Sequence, residues 1–480
     1  MDEETAALLD RADTLRRGGR IEEAIAAYQQ VLELEPGHAD SWYNLGWLRK
    51  QARQYGPALD AYGEALRRSV ADPQEVHLNR AVILSDHLAR LDDAEAELRA
   101  ALALKPDYVP ALLNLGNLHE DRGERAEAER AYRQALRAAP NDALALSRLA
   151  GVVDARSEAA TRLVETFRER LTSGISAGDR ADLGFALGRL LDARGDYDRA
   201  FAAYRDANQA SRESFGPRFK AYDRESHERF VDRLIAAFQS PASPAADEQF
   251  PGSPVFICGL FRSGSTLVEQ ILASHNRIES GGELDLVPAL AARISGYPEA
   301  VVDADRATIE SWRDFYAAGL AAIAGGNALV TDKRPDNFLH IGLIKTLLPD
   351  AKIIHTRRDR LDNLLSLYFL HLDPQMAYAL DLADAAHWHG QYERLMAHWK
   401  RLYPNDIFDL DYDELVRAPR PVIERLLSFL GLDWEDSVLD FHRRSGAVKT
   451  ACVWQVREPL HARSSGRWRN YKEQLKSAFG

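Results

Sequence analysis

A glycine- and hydroxyl-rich loop is the segment of the sequence with the clearest chemistry. The apolar run VFIC (255–258) leads directly into GLFRSGST (259–266), and an amphipathic helical pattern follows. A strand, a tight loop and a helix N-terminus point several backbone N–H groups at one place, where the helix dipole also favours an anion. Gly259 and Gly264 allow the loop to close. Hydroxyl groups stand at three positions, Ser263, Ser265 and Thr266. The pattern predicts a phosphate or sulfate site rather than an ordinary strand–turn–helix connection.

The position of the cation indicates which kind of phosphate the loop takes. The glycine spacing imitates G-x4-G-K-[ST], but Ser265 occupies the lysine position. A nucleoside-triphosphate enzyme needs that lysine and a metal-binding carboxylate on a later strand. Here the cation is Arg262, inside the loop, and its guanidinium can hold a terminal group through two hydrogen bonds. This arrangement favours a metal-free site for a nucleotide that does not end in a γ-phosphate.

The run G-x-x-R-S-G-[ST]-T resembles the 5′-phosphosulfate loop of sulfotransferases that use 3′-phosphoadenylyl sulfate (PAPS), and the protein-tyrosine sulfotransferases look most similar. The resemblance covers roughly residues 252–472 and extends from this loop to five motifs downstream. It implies that Glu283, in SGGELDL, is the catalytic base. It also implies that Lys333, in TDKRPDN, neutralises charge on the oxygen that bridges sulfate and phosphate, while Arg262 holds the transferring group.

The resemblance extends to the nucleotide. The segment HTRRDRLDNLLSLY (355–368) is similar to the 3′-phosphate element, in which an arginine is followed eight residues later by a serine, and Arg358 and Ser366 fit that spacing. These two residues are expected to distinguish PAPS from ATP. Tyr412, in DLDYDELVRAP, corresponds to a nucleotide contact.

The C-terminal stretch 450–471 resembles the family's loop that folds over the nucleotide. Cys452 stands where a serine is expected and is a weaker hydrogen-bond donor. Arg467 precedes Trp468 in the way that a lysine or arginine should. The resemblance therefore implies that Cys452 and Arg467 bind the nucleotide.

A repeat precedes this region. The pattern W-x2-L-G ending at Gly46, with Tyr62 after it, returns 70 residues later as L-x2-L-G ending at Gly116, with Tyr132 after it. A period near 34 with this signature resembles the tetratricopeptide repeat (TPR). We expect an α-helical solenoid of five or six helix pairs over residues 4–210, whose concave groove recruits a protein or peptide acceptor or partner. The alternative is a scaffold that only covers or spaces the next domain.

The repeat pattern fails after residue 210. Residues 211–251 read as a connecting helix and a linker rich in proline, serine and alanine. Over 252–480, short β-branched runs alternate with helical patterns, and four of them read as buried strands. These strands are VFIC (255–258), ALVT (328–331), KIIHT (352–356) and DIFDLDY (406–412). The sequence thus predicts a three-layer, P-loop-like α/β sulfotransferase domain with a mainly parallel sheet.

Composition excludes several other classes of protein. The chain has 480 residues and a net charge of −12, which argues against a nucleic-acid-binding protein. Cys258 and Cys452 are the only cysteines, too few for a disulfide framework or a four-cysteine zinc site. The histidines His387, His389 and His398 fit no standard ligand spacing, so no metal is expected. With no signal-type N-terminus and no run of about 18 apolar residues, we expect a cytoplasmic protein without a membrane span.

The leading hypothesis is a PAPS-dependent sulfotransferase that moves a sulfuryl group to a hydroxyl acceptor, with protein tyrosine as one acceptor class. The second is an ATP-using P-loop kinase, against which the missing loop lysine argues. The third is a TPR adaptor with an inactive nucleotide-binding domain.

Overall fold

The computed structural model describes residues 3–241, 254–321, 329–444 and 454–479. The chain divides into two compact units: residues up to Asp154 form the first, and the described residues from Ala155 onward form the second. The predicted fold class, a helical TPR solenoid followed by an α/β domain with a parallel sheet, is confirmed.

The first unit consists of helices that pack in consecutive pairs. They are α1 (Glu3–Arg17), α2 (Ile21–Leu34), α3 (Ala39–Gln51), α4 (Tyr55–Arg67), α5 (Pro73–Val82), α6 (Leu91–Leu104), α7 (Val109–Arg122), α8 (Arg125–Ala138) and α9 (Ala143–Val152). In the pairs α3–α4 and α7–α8 a glycine faces a buried tyrosine. A Cβ atom on Gly46 would lie 2.8 Å from the Tyr62 ring, and one on Gly116 would lie 2.2 Å from the Tyr132 ring. The repeated small and large residues therefore set how closely the paired helices approach.

The second unit begins with four helices. They are α10 (Glu158–Leu171), α11 (Ala177–Ala193), α12 (Tyr197–Phe215) and α13 (Arg224–Ala237). The glycine–tyrosine contact recurs here, because a Cβ atom on Gly188 would lie 2.7 Å from the Tyr204 ring. Helix α13, expected as a connector, contributes Val231 and Leu234 to the core of the α/β fold. The predicted domain boundaries at residues 210 and 252 stay predictions.

A five-stranded parallel sheet forms the centre of the second unit. Its strands are β1 (Pro254–Gly259), β2 (Ile278–Ser280), β3 (Leu329–Lys333), β4 (Lys352–Arg357) and β5 (Ile407–Asp411), in the order β2-β3-β1-β4-β5. All six residues of β1 are buried, as expected for the central strand of a sheet covered on both faces. The four predicted strands are present. The edge strand β2 was not predicted, because its three residues are too few for a periodic pattern.

Helices alternate with these strands. They are α14 (Ser265–Leu272), α15 (Leu286–Arg293), α16 (Glu299–Val302), α17 (Arg306–Ala321), α18 (Ile341–Leu347), α19 (Arg360–Tyr368), α20 (Leu382–Leu402), α21 (Tyr412–Arg417), α22 (Pro419–Phe429) and α23 (Lys472–Phe479). A 3₁₀ helix, Arg467–Tyr471, precedes α23. Because β1 and β4 are neighbouring parallel strands, the segments that follow them, 260–264 and 358–359, emerge at the same edge of the sheet. That edge carries the predicted site.

Candidate functional site

The loop after β1 is closed by three residues with positive φ angles, Gly259 (146°), Arg262 (71°) and Gly264 (101°). A Cβ atom on Gly259 would lie 2.3 Å from the carbonyl oxygen of Thr356 in β4, and one on Gly264 would lie 2.7 Å from the Tyr412 ring. Both positions therefore require glycine on steric grounds as well as for their backbone angles. The left-handed backbone of Arg262 is a strained conformation of the type that concentrates at ligand sites.

Arg262, Arg358 and Ser366, three of the predicted nucleotide contacts, meet at this loop. Arg262 Nε donates to Ser366 Oγ at 3.0 Å, which joins the loop to α19. The Arg358 guanidinium lies 5.1 Å from the centre of the Tyr412 ring and reaches the Arg262 carbonyl oxygen at 3.4 Å. Four predicted nucleotide contacts that are far apart in the sequence thus lie side by side.

Arg358 has the properties of an anion-binding group. Its Nε is buried and has no hydrogen-bond partner among the described residues. Burial lowers the pKa of Arg358, because it disfavours the charged form. A buried donor without a partner is costly, and a phosphate oxygen would satisfy it.

The three loop hydroxyls differ in their surroundings. Ser263 Oγ donates to the Leu260 carbonyl at 2.6 Å and shares a hydrogen bond with Thr356 Oγ1 at 2.7 Å. That hydroxyl therefore ties the loop to β4. Ser265 and Thr266 open α14 and are largely buried.

The predicted base and lysine form an ion pair at the end of β3. Lys333 is 1% exposed, and its Nζ lies 2.6 Å from Glu283 Oε1, whereas the Glu283 side chain is 42% exposed. The Lys333 backbone N–H donates to the Gly282 carbonyl at 2.9 Å, which fixes the glutamate segment to the strand. A carboxylate open to solvent thus stands over a buried ammonium group.

Glu269 in α14 is a member of this cluster that the sequence analysis missed. Its Oε1 accepts hydrogen bonds from the Thr331 hydroxyl (2.9 Å), the Ser280 hydroxyl (3.0 Å) and the Gly282 N–H (2.9 Å). Its Oε2 lies 3.9 Å from Lys333 Nζ. Glu269 thereby connects α14 to Lys333 and to Gly282, the residue that precedes Glu283. The signal was the single carboxylate of STLVEQIL, a helix in which all eight residues are buried.

The remaining predicted contacts lie elsewhere or outside the described residues. The Arg467 guanidinium contacts Asp192 of α11, with Nη2 2.6 Å from Oδ2, and lies 5.2 Å from the centre of the Phe369 ring. Its role as a nucleotide contact stays a prediction. Cys452 lies outside the described residues. Residues of the C-terminal segment and of the loop together line a small cavity. Its lining is Arg262, Gly264, Leu267, Arg358, Tyr412, Val416, Val456, Pro459, Leu460 and His461.

The described residues include no group of three or more histidine, cysteine, aspartate or glutamate side chains placed to hold a metal ion. His387 Nδ1 lies 3.0 Å from the Tyr222 hydroxyl, and His398 Nε2 lies 2.7 Å from the Phe238 carbonyl oxygen. None of the helices in the part of the chain that the structure covers is long and apolar enough to cross a bilayer.

The parallel sheet and the helices around it define an α/β domain, and comparison with known proteins identifies the class more closely. Residues 254–436 match the family model described as "Sulfotransferase family". Models of the TPR match residues 12–52 and 109–142. The C-terminal region is therefore a sulfotransferase-family domain, and the N-terminal region carries TPRs, as the sequence predicts.

Individual proteins are similar to parts of this chain. An uncharacterized protein of Aquifex aeolicus is 31% identical over 425 residues, which cover 84% of this chain and 54% of that protein, so the chain spans about half of the relative's length. A putative protein-tyrosine sulfotransferase of Caenorhabditis briggsae is 25% identical over 199 residues, 40% of this chain and 70% of that one. The sulfotransferase domain of an olefin synthase of Synechococcus PCC 7002 covers 49% of this chain and 98% of that one, with 21% identity and a TM-score of 0.35.

Asp332, the neighbour of Lys333 in β3, has an unusual pKa. Burial raises the pKa of Asp332 to about 7, although hydrogen bonds from the Tyr316 hydroxyl (3.0 Å) and Asn337 Nδ2 (3.1 Å) oppose the shift. An unfolded aspartate has a pKa of about 3.9. The folded protein therefore holds this proton more tightly, and the associated stability is lost as the pH rises from about 4 through about 7.

We expect Asp332→Asn to remove this pH dependence, because asparagine resembles the neutral carboxyl group. Between pH 5 and 7 the free energy of unfolding of the wild type should fall relative to that of the variant by up to about 1.4 kcal/mol per pH unit. Urea unfolding at several pH values measures the difference. Asp440→Asn, at a half-exposed carboxylate, is the control. Its free energy of unfolding should change with pH as that of the wild type does. If the free energy of unfolding of Asp332→Asn also changed with pH as that of the wild type does, Asp332 would be ionised over the whole range from pH 5 to 7.

Proposed function

We propose that this protein is a PAPS-dependent sulfotransferase that transfers a sulfuryl group to a hydroxyl acceptor. The observation that carries the proposal is the buried Lys333, held by Glu283 at the end of β3 and 3.9 Å from a carboxylate of the phosphate-loop helix. The loop itself has no lysine, so the cation approaches the phosphate site from a neighbouring strand. That position suits charge on a leaving 5′-phosphate rather than on a γ-phosphate.

The residues around the loop fit a nucleotide that carries two separate phosphate groups. The loop amides and Arg262 suit the 5′-phosphosulfate, since they lie at the N-terminus of α14. Arg358 and Ser366 suit the 3′-phosphate, and the unpartnered Nε of Arg358 provides a donor for it. The Tyr412 ring, next to Gly264 and Arg358, closes the side of the site.

The transfer itself is an in-line displacement at sulfur, in which positioning and charge stabilisation dominate. The acceptor oxygen forms a bond to sulfur while the bond from sulfur to the bridging phosphate oxygen breaks. Glu283 takes the proton of the acceptor hydroxyl, and Lys333 stabilises the negative charge that develops on the phosphate. The products are the sulfated acceptor and adenosine 3′,5′-bisphosphate (PAP).

Protein tyrosine is the acceptor class that the resemblance favours, and the repeats offer a surface to recruit it. Helices α10–α12, in the same compact unit as the site, enclose a groove with an apolar floor that includes Leu187 and Leu191. Its charged lining is of both signs, and the Arg180 guanidinium is paired with Glu213. The charged residues that line it are Arg168, Arg180, Arg199, Asp206 and Glu213. An apolar floor with a rim of mixed charge suits a peptide with apolar side chains, which supports a recruiting role for the repeat region.

Calorimetric titration of the full chain with PAP, beside ATP plus Mg²⁺, tests the donor. PAP binding with little ATP binding is the expected result, followed by transfer of radiolabel from [³⁵S]PAPS to a tyrosine-containing peptide. ATP binding and Mg²⁺-dependent turnover without PAP binding would replace the proposal with the kinase. Binding of neither nucleotide would favour the TPR adaptor.

A further inference from the structure

The helical hairpin α11–α12 is fixed to the end of α19, the helix that carries Ser366. The ring of Tyr204 in α12 stacks on Phe369 with centroids 4.1 Å apart and an interplanar angle of 12°. Asn208 Nδ2 donates to the Tyr368 carbonyl oxygen at 2.9 Å, and this contact is buried. The hairpin therefore packs directly against the predicted 3′-phosphate element.

Asp192, near the C-terminal end of α11, forms hydrogen bonds from this hairpin to the C-terminal segment 464–471. Its Oδ2 accepts a hydrogen bond from Arg467 Nη2 at 2.6 Å, and its Oδ1 accepts one from the Tyr471 hydroxyl. Tyr471 is fully buried, and its ring meets Phe369 edge-on at 4.9 Å. One carboxylate thus holds both ends of the 3₁₀ helix Arg467–Tyr471.

The other side of the same segment is held by the nucleotide site. Asp362 of α19 accepts hydrogen bonds from the backbone N–H groups of Gly466 and Trp468, the latter at 2.7 Å. Arg358 donates to the Ser464 carbonyl oxygen. Further upstream, residues 456 and 459–461 line one side of the small cavity whose other side is formed by the loop after β1. The turn at 464–468 consequently lies between Asp192 on one side and Arg358 and Asp362 on the other.

The contact between Asp192 and Arg467 is electrostatically strong. Burial has the largest effect on the pKa of Arg467 and would lower it, but the charge of Asp192 and its hydrogen bond, together with Tyr204 and Tyr471, raise the pKa overall. Removing the carboxylate would leave a largely desolvated guanidinium without its counter-charge, which is costly. The segment would then keep its hydrogen bonds to Asp362 and Arg358 but lose its attachment to α11, so that it would leave its position at the cavity more often.

We propose that Asp192 is a positioning residue for nucleotide binding, through which the repeat-derived hairpin holds the C-terminal segment over the phosphate loop. This inference rests on the proposed function. If the nucleotide binds well only when the segment is ordered, the apparent affinity is the intrinsic affinity multiplied by the fraction of molecules in which the segment is ordered. A residue of the repeat region, remote in sequence from every predicted nucleotide contact, thereby sets the affinity for the donor.

The test compares Asp192→Asn with the wild-type full chain in two measurements. Hydrogen exchange of peptides covering residues 456–471, without nucleotide, reports whether the segment is held. Titration with PAP reports the affinity. We expect Asp192→Asn to accelerate exchange in these peptides and to weaken PAP binding by about tenfold, as the loss of roughly one charged hydrogen bond would. Tyr471→Phe removes only one hydroxyl group and should shift both quantities less, in the same direction.

Asp196→Asn is the matched control. Asp196 lies four residues further along, is half-exposed and contacts Arg199 at 3.4 Å, so both quantities should stay at wild-type values. Unchanged exchange in Asp192→Asn, or faster exchange with unchanged PAP affinity, would overturn the proposal. If the wild type itself failed to bind PAP, the donor assignment would be wrong, and the exchange measurement would still decide whether Asp192 holds the segment.

Discussion

Lys333→Met is expected to lower kcat for sulfuryl transfer by about 10²–10³-fold, the cost of removing one preorganised group that stabilises transition-state charge. Methionine keeps the length of the buried side chain, whereas the ammonium group next to Glu283 is lost. The affinity for PAP should change much less than kcat, because Arg262, Arg358 and Ser366 remain in place. Steady-state kinetics with saturating PAPS and calorimetry with PAP separate the two effects.

Lys345→Met is the matched control for this experiment. Lys345 is equally buried, at 2% exposure, and its Nζ pairs with Asp406 at 2.9 Å. Losing that pair should lower the melting temperature and leave kcat of the folded protein unchanged. If both variants reduced kcat to the same extent, the effect of Lys333 would be on stability alone. If Lys333→Met kept full activity, Lys333 could not stabilise the leaving group.

Arg358→Ala is expected to weaken PAP binding by roughly 10²-fold, since a charged hydrogen bond contributes about 1.5–3 kcal/mol and each 1.4 kcal/mol is a factor of ten. The effect should depend on the 3′-phosphate. The wild type should bind PAP more tightly than adenosine 5′-phosphate, and Arg358→Ala should bind the two with similar affinity. Titration of both proteins with both nucleotides measures this discrimination directly.

The neighbouring residue provides a control. Arg357 is the last residue of β4, its side chain is 52% exposed, and it lies 3.5 Å from Asp409. Arg357→Ala removes the same charge one position away and should leave the preference for PAP intact. Equal losses in the two variants would mean that general positive charge, rather than a hydrogen bond from Arg358, attracts the nucleotide.

The solenoid and the phosphate loop could be predicted because both depend on local patterns. Gly46 and Tyr62 stand 16 residues apart and recur as Gly116 and Tyr132, and this spacing is a direct consequence of two helices that pack face to face. The phosphate loop likewise needs only a strand, glycines and a helix start within twelve residues. Short-range geometry determines such features, so the residue types alone reveal them.

The partners of the functional side chains depend on the tertiary structure. The sequence marks Lys333 and Glu283 as separate motifs, but it does not show that Glu269 joins them to the loop helix. The three-residue strand β2, which places Ser280 beside Glu269, carries no periodic signal. Its position follows from pairing with β3, a contact between segments about 50 residues apart.

The sequence by itself determined the class of domain, the repeat and the residues that could bind an anionic nucleotide. Only the tertiary structure decided that Arg467 pairs with Asp192, and that α11–α12 belongs to the same compact unit as the sheet. The physical reason is that an ion pair between residues 275 positions apart depends on how whole helices pack. Neither residue's immediate neighbours in the chain carry information about that packing.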